Sequence, residues 1–187
     1  SWTVRIHAFN TLATDPDDDF ATYVRIGLED IYEVVARNSV RMAAALGDTS
    51  LIPDVEAFKK AHPEMVRASG HAADDAVALL SGTGHYSKST EGAADKEKPV
   101  KKRVNDIRTF RNGRSIFAVD PLLRIVGDAS DDLYIRTVAC ETLGWYEQSV
   151  RRGEIIESLS DMLVNGTDIP QQIQAEIKKT IKRLSWQ

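Results

Sequence analysis

Ile135-Arg136-Thr137-Val138-Ala139-Cys140-Glu141-Thr142-Leu143 is the stretch on which the fold turns, because Val4-Arg5-Ile6-His7-Ala8-Phe9-Asn10-Thr11-Leu12 repeats it. Both run β-branched residue, Arg, two residues, Ala, two residues, Thr-Leu. Ile135, Ala139 and Leu143 stand four apart, as do Val4, Ala8 and Leu12, so each phrase lays one apolar stripe on a helix. A phrase repeated at helical spacing predicts a repeated supersecondary unit. That expectation concerns architecture more than activity.

Outward from the second phrase, Asp120-Pro121 opens a short helix through Leu122, Leu123, Ile125 and Val126, and Gly127-Asp128 stops it. The phrase helix itself is predicted over about 133–148, with Tyr146 on its inner face. A helix over 151–163 is predicted to bury Ile155, Ile156, Leu159, Met162 and Leu163. After Asn165-Gly166-Thr167 the last helix carries a regular stripe of Ile169, Ile173, Ile177, Ile181 and Leu184.

Outward from the first phrase, Asp15-Pro16-Asp17-Asp18-Asp19 ends one helix, and one of its carboxylates is expected to cap the next. Between Ala21 and Leu46, Val24, Leu28, Ile31, Val35, Met42 and Leu46 keep a 4-3-4 rhythm interrupted by Asn38. This reads as one helix of about seven turns, or as two meeting near Arg37-Asn38-Ser39. Gly47-Asp48 is a C-terminal stop. Helices follow over 54–61 and 63–80, the second with a small-residue face of Ala72, Ala73, Ala76, Val77 and Leu80. Strand signals are scarce, and only 114–119 fits a short one. Residues 81–103, rich in Gly, Ser, Thr, Lys and Glu, read as a long flexible insertion. The expected organisation is therefore all-α: an N-terminal helical region over residues 1–80, the insertion 81–103, and C-terminal hairpins 104–187.

From Asp120 to Leu184 the chain resembles HEAT repeats. Leu122-Leu123, the turn Asp128 to Asp132, Ile135-Arg136, Ala139 and Leu143-Gly144 follow that family's order of helix, Asp-containing turn, β-branched-Arg pair, inner Ala and Leu-Gly. Sliding the phrase to the last helix pairs Ile135 with Ile173, a period of 38, near the family's repeat of about 40 residues. The resemblance implies antiparallel helical hairpins stacked as a short α-solenoid. It also implies that Arg5 and Arg136 are structural, because HEAT proteins join successive units through ladders of Asp and Arg. Residues 20–80 fit the pattern poorly.

At 187 residues the chain can bury a full core without metal or disulfide help. Its lone cysteine, Cys140, excludes an internal disulfide framework and, with no signal segment visible, favours the cytoplasm. No run approaches the roughly 20 apolar residues of a membrane span. The chain opens at Ser1-Trp2 without an initiator Met, and a fragment of a larger protein is expected. Net charge is −4, unevenly spread: Lys96 to Arg114 holds eight bases against two acids, a local +6 that leaves −10 elsewhere.

Chemical motifs are few. His7, His62, His71 and His85 show no HxxxH or HExxH spacing, and the His-Glu dipeptides of di-iron hydroxylases built on HEAT-like helices are lacking. Asp15, Asp17, Asp18 and Asp19 lack the Gly and bidentate Glu of a calcium loop. Cys140 reads as a small buried thiol. Gly82-Thr83-Gly84-His85 lacks the Lys and preceding strand of a phosphate loop. Trp145 and Asp161 are residue types that HEAT-like DNA glycosylases present in a groove, but nothing in the sequence ties them together. Asn165-Gly166-Thr167 is formally a glycosylation sequon.

Neither a cofactor, a metal site nor a catalytic constellation is expected. The leading expectation is a non-catalytic protein–protein interaction or scaffold module holding a protein or peptide, with Trp145 at a helix end as a candidate contact. A second is nucleic-acid binding through Lys101, Lys102, Arg103, Arg108, Arg111 and Arg114, with Phe110 among them and Tyr86 upstream. A third is the helical domain of an enzyme whose active site lies largely elsewhere.

Overall fold

The computed structural model describes residues 1–13, 19–63, 72–166 and 168–185. Among them it has eleven α-helices and no strand. Among the described residues the chain divides into two compact units, one of Ser1–Ser81 with Gln148–Val150, the other of Gly82–Glu147 with residues 151–185. No helix of the described residues is long and apolar enough to cross a membrane.

The first unit holds α1 (Trp2–Leu12), α2 (Phe20–Leu28), α3 (Glu33–Leu46), α4 (Ile52–Ala61) and α5 (Ala72–Ser81). α2 packs along α3 and α4 along α5, while α3 also packs on α5 and α1 on α3. Phe9, Phe20, Val24, Leu28, Val40, Leu46, Val55, Phe58 and Leu80 form one core. The 4-3-4 rhythm of 21–46 is two helices, and the break falls at 29–32 rather than at Arg37–Ser39. Asp30 makes it: its Oδ1 accepts the Tyr32 N–H at 2.9 Å and its Oδ2 the Arg5 guanidinium at 2.5 Å. A side chain that offers the backbone a local acceptor competes with helix, and Ile31 is left 83% exposed. Asn38 sits inside α3, its amide donating to Asn10 Oδ1 at 3.2 Å. Gly47 ends α3 at φ 74° with its N–H on Ala43 O, a conformation that suits a residue without Cβ. Of the helix expected over 63–80, the described portion is α5; Asp15, Asp17, Asp18 and His71 lie outside the described residues.

The second unit holds α6 (His85–Ala94), α7 (Val100–Thr109), α8 (Val119–Gly127), α9 (Leu133–Leu143), α10 (Arg152–Asn165) and α11 (Gln171–Ser185). These are three consecutive hairpins. First helices pack on first helices (α6 on α8, α8 on α10) and second on second (α7 on α9, α9 on α11).

Residues 81–103 are thus no unstructured insertion: they contain α6 and the start of α7. α6 buries only Tyr86, Ser89, Gly92 and Ala93. Its packing relies on close approach rather than on large apolar side chains. At Gly113 an added Cβ would lie 2.2 Å from the Tyr86 ring, so only glycine leaves that ring its place. Residues 114–119 are not a strand either. A 3-10 turn, Ile116–Ala118, leads into α8, and the Ser115 carbonyl accepts the Tyr146 hydroxyl at 3.0 Å.

Around the phrase, Asp132 caps α9 by accepting from the Tyr134 and Ile135 N–H groups. Ile135, Val138, Ala139, Cys140 and Leu143 are buried. In α10 only Ile155 and Leu159 are buried, whereas Ile156, Met162 and Leu163 are half-buried at the edge. α11 buries Ile173, Ile177 and Leu184 and leaves Ile181 half-buried, as is Ile169 just before the helix.

Candidate interaction surfaces

Two arginines of the second unit make the same bond. Arg136 of α9 donates from Nε to Val126 O, in the last turn of α8, at 3.0 Å. Arg103 of α7 donates from Nε to Ala93 O, in the last turn of α6, at 2.9 Å. α7 and α9 thus each place a cation on the carbonyl-rich C-terminus of the first helix in their hairpin, where the macrodipole favours positive charge. Arg103 also reaches the next hairpin: its two terminal nitrogens bond both Asp131 oxygens at 2.7 Å. Both side chains are buried, 4% and 3% exposed. Nearby, Lys96 pairs with Asp128 at 2.5 Å and donates to Ser130 Oγ at 2.8 Å.

These pairs set the turn's titration. Burial pushes the Asp131 carboxyl up, but Arg103, the Asp132 N–H and Lys96 outweigh it and hold the group below the usual carboxylate range. Lys96 and Ser130 hold Asp128 well below it. A depressed folded-state pKa stabilises fully above the unfolded value, near 4, and that stabilisation is lost as pH falls through the folded value. Thermal midpoints followed by circular dichroism are expected to stay level from about pH 7 to 5 and to fall below about pH 4. Asp131→Asn is expected to shallow that acid fall, and parallel curves for variant and parent would contradict the assignment.

The structure parts the cations of the basic segment. Arg103 is buried in its joint and faces no ligand. Arg111, half-buried, donates to Glu141 Oε2 at 2.7 Å, and Arg114 is half-buried. Arg108 is exposed and donates to the Tyr134 hydroxyl at 3.0 Å. Lys101 and Lys102 are exposed. Lys101 stands seven residues before Arg108, so the two share a face of α7. What remains in the open is a face made by the second helices: Lys101, Arg108 and Tyr134, with the half-buried Thr137 three residues on, bonded by Gln172 of α11 at 3.3 Å. Tyr134 is not among the candidates the sequence nominates; an exposed aromatic at a helix start is its only signal.

Trp145 is half-buried and covered by its own unit. The Arg183 guanidinium lies 3.7 Å above its ring and also bonds Glu147. The indole Nε1 is buried without a partner among the described residues, and with Arg183 over its face the ring is packed rather than offered. Cys140 is buried, and its sulfur lies 3.7 Å from Thr180 Oγ1. Burial pushes its thiol up to about 12. A thiol kept neutral is a poor nucleophile, so a disulfide reagent such as DTNB is expected to titrate no thiol in the native protein and one per chain in denaturant. Rapid native labelling would overturn that. Among the described residues no three of His, Cys, Asp or Glu gather where a metal could sit. His62 stacks near Phe58 and His85 near Tyr86.

The first phrase has a different environment from the second. Val4 is 67% exposed and Leu12 40%. With Arg5, Ala8, Tyr23, Ile26 and Asp30 around it, Leu12 lines a groove of about 310 Å³ between α1 and α2, floored by Phe9 and Gly27. No protein-family model matches the chain, and no curated protein sequence matches it.

Proposed function

We propose that the protein is a non-catalytic module of the HEAT-like α-solenoid kind that holds a protein or peptide partner on the second-helix face of α7, α9 and α11. The observation that carries this reading is the recurrence of one arginine joint, Arg103 on Ala93 O and Arg136 on Val126 O, in successive hairpins. A bond repeated inside two successive hairpins gives them the same internal geometry, and Arg103–Asp131 links one to the next, as a stacked array needs. Stacking leaves one continuous face of second helices, and here that face offers cations, a tyrosine and amide or hydroxyl groups. Such a mixture suits a polar rim with an aromatic anchor.

The nucleic-acid reading has less behind it. Two of the six nominated cations, Arg103 and Arg111, are engaged with carboxylates, which reduces the charge left for phosphates, and Arg108 is bonded to the Tyr134 hydroxyl.

A photo-cross-linking residue at Tyr134 or Lys101 of the full chain, with Glu157 on α10 as control, tests the proposal. A discrete protein adduct from the first two positions and none from the third is expected. Adducts equal at all three positions, or nucleic acid recovered in place of protein, would overturn it.

A further inference from the structure

The second-helix face carries an unbalanced positive charge where α7 meets α9. The acids of this region are all committed. Asp106 of α7 pairs with Lys98, and Glu141 of α9 with Arg111. In the turn before α9, Asp128 pairs with Lys96 and Asp131 with Arg103, while Asp132 is spent on the Tyr134 and Ile135 N–H groups. Lys101, Lys102 and Arg108 are left over: all three are exposed, and none forms an ion pair among the described residues.

The geometry of the leftover cations is specific. Lys101 and Arg108 stand seven residues apart on one face of α7, about 10 Å along its axis. Arg108 donates from one terminal nitrogen to the Tyr134 hydroxyl. Its guanidinium keeps further N–H donors and its charge, so a fork remains for a carboxylate. The same bond holds the exposed tyrosine ring beside that fork. α9 packs on both α7 and α11, so Tyr134 lies within the row of second helices, with its neighbours in the row already in place.

We infer that this part of the face takes an acidic segment of a protein partner, extended along α7, with one carboxylate on Lys101, a second on the Arg108 fork and an apolar side chain on the Tyr134 ring. The inference rests on the reading of this face as a binding surface and adds the chemistry of what it binds. Charge complementarity selects the occupant: uncommitted cations beside an aromatic ring favour carboxylates over neutral chains. Spacing selects it further, because carboxylates three residues apart in a polyproline II segment lie about 9 Å apart. The rest of the chain is net acidic, which disfavours a long polyanion such as nucleic acid, whereas a short acidic segment meets the basic patch alone.

The probe is a fluorescein-labelled repeat of Glu-Ala-Pro about four units long, in which proline favours polyproline II. It is titrated by anisotropy into the full chain at about 50 mM salt. The matching Gln-Ala-Pro repeat and a single-stranded oligothymidylate of about twelve nucleotides are run beside it. Saturable binding of the glutamate peptide with a Kd below about 200 µM is expected, roughly tenfold tighter than that of the glutamine peptide. Arg108→Glu is expected to weaken it about tenfold and Lys101→Glu about fivefold. Lys88→Glu, the same change of charge at an exposed position of α6, is expected to leave it within about twofold. No saturable binding, equal affinity for the glutamine peptide, an equal loss with Lys88→Glu, or tighter binding of the oligothymidylate would overturn the inference. So would a dimer of the chain that Arg108→Glu disperses, because a second copy would then cover the face. If the peptide fails while Tyr134 still cross-links to a protein, the acidic specificity is lost and the binding face stands; if both fail, the face itself is lost.

Discussion

Replacing Arg103 by alanine is expected to lower the unfolding free energy of the second unit by about 3–5 kcal/mol, the usual effect of removing one partner from a buried ion pair. The change leaves Asp131 buried with no counter-charge and Ala93 O without its donor. In a unit near 100 residues each kcal/mol moves the thermal midpoint by roughly 4–8 °C, so a fall beyond about 12 °C is expected. Calorimetry of the full chain reads it. A shift within about 2 °C would mean that the pair is solvated and worth no more than a surface salt bridge.

The second large effect contrasts the two copies of the phrase. Leu143 ends the second copy fully buried, and Leu143→Ala is expected to cost about 2–5 kcal/mol through lost burial and the cavity left behind. Leu12 ends the first copy on the groove wall, and Leu12→Ala is expected to change stability by no more than about 0.5 kcal/mol. Urea midpoints at constant m-value separate the two. Equal costs would mean that the α1 stripe is covered in the free protein.

Legibility in the sequence followed the chemistry of what is buried. α11 could be read because Ile173, Ile177, Ile181 and Leu184 stand three or four residues apart, and Ile173, Ile177 and Leu184 fall on the core side. α9 could be read for the same reason at its start, but its end, expected near 148, falls at Leu143. α6 was not legible: a helix that buries a serine, a glycine and an alanine beside one tyrosine shows no apolar stripe, and its composition resembles a loop. Arg103 reads as a solvent-facing base until Asp131, 28 residues on, is brought to it. The α2–α3 break depends on Asp30 receiving Arg5 from α1, a contact that no local pattern announces. The shared phrase itself shows which stripe is apolar and is silent on whether a neighbour covers it. That is why Val4 and Ile135, alike in sequence, differ so much in burial.

The most direct measurement is a double-mutant cycle on Arg103 and Asp131, using Arg103→Met, Asp131→Leu and the pair together in the full chain. If a buried arginine links one hairpin to the next, each single change destabilises strongly and the double change recovers much of the loss, with a coupling of about 2 kcal/mol or more. A coupling below about 0.5 kcal/mol, with the two single effects simply adding, would contradict the joint and the stacked-hairpin account built on it.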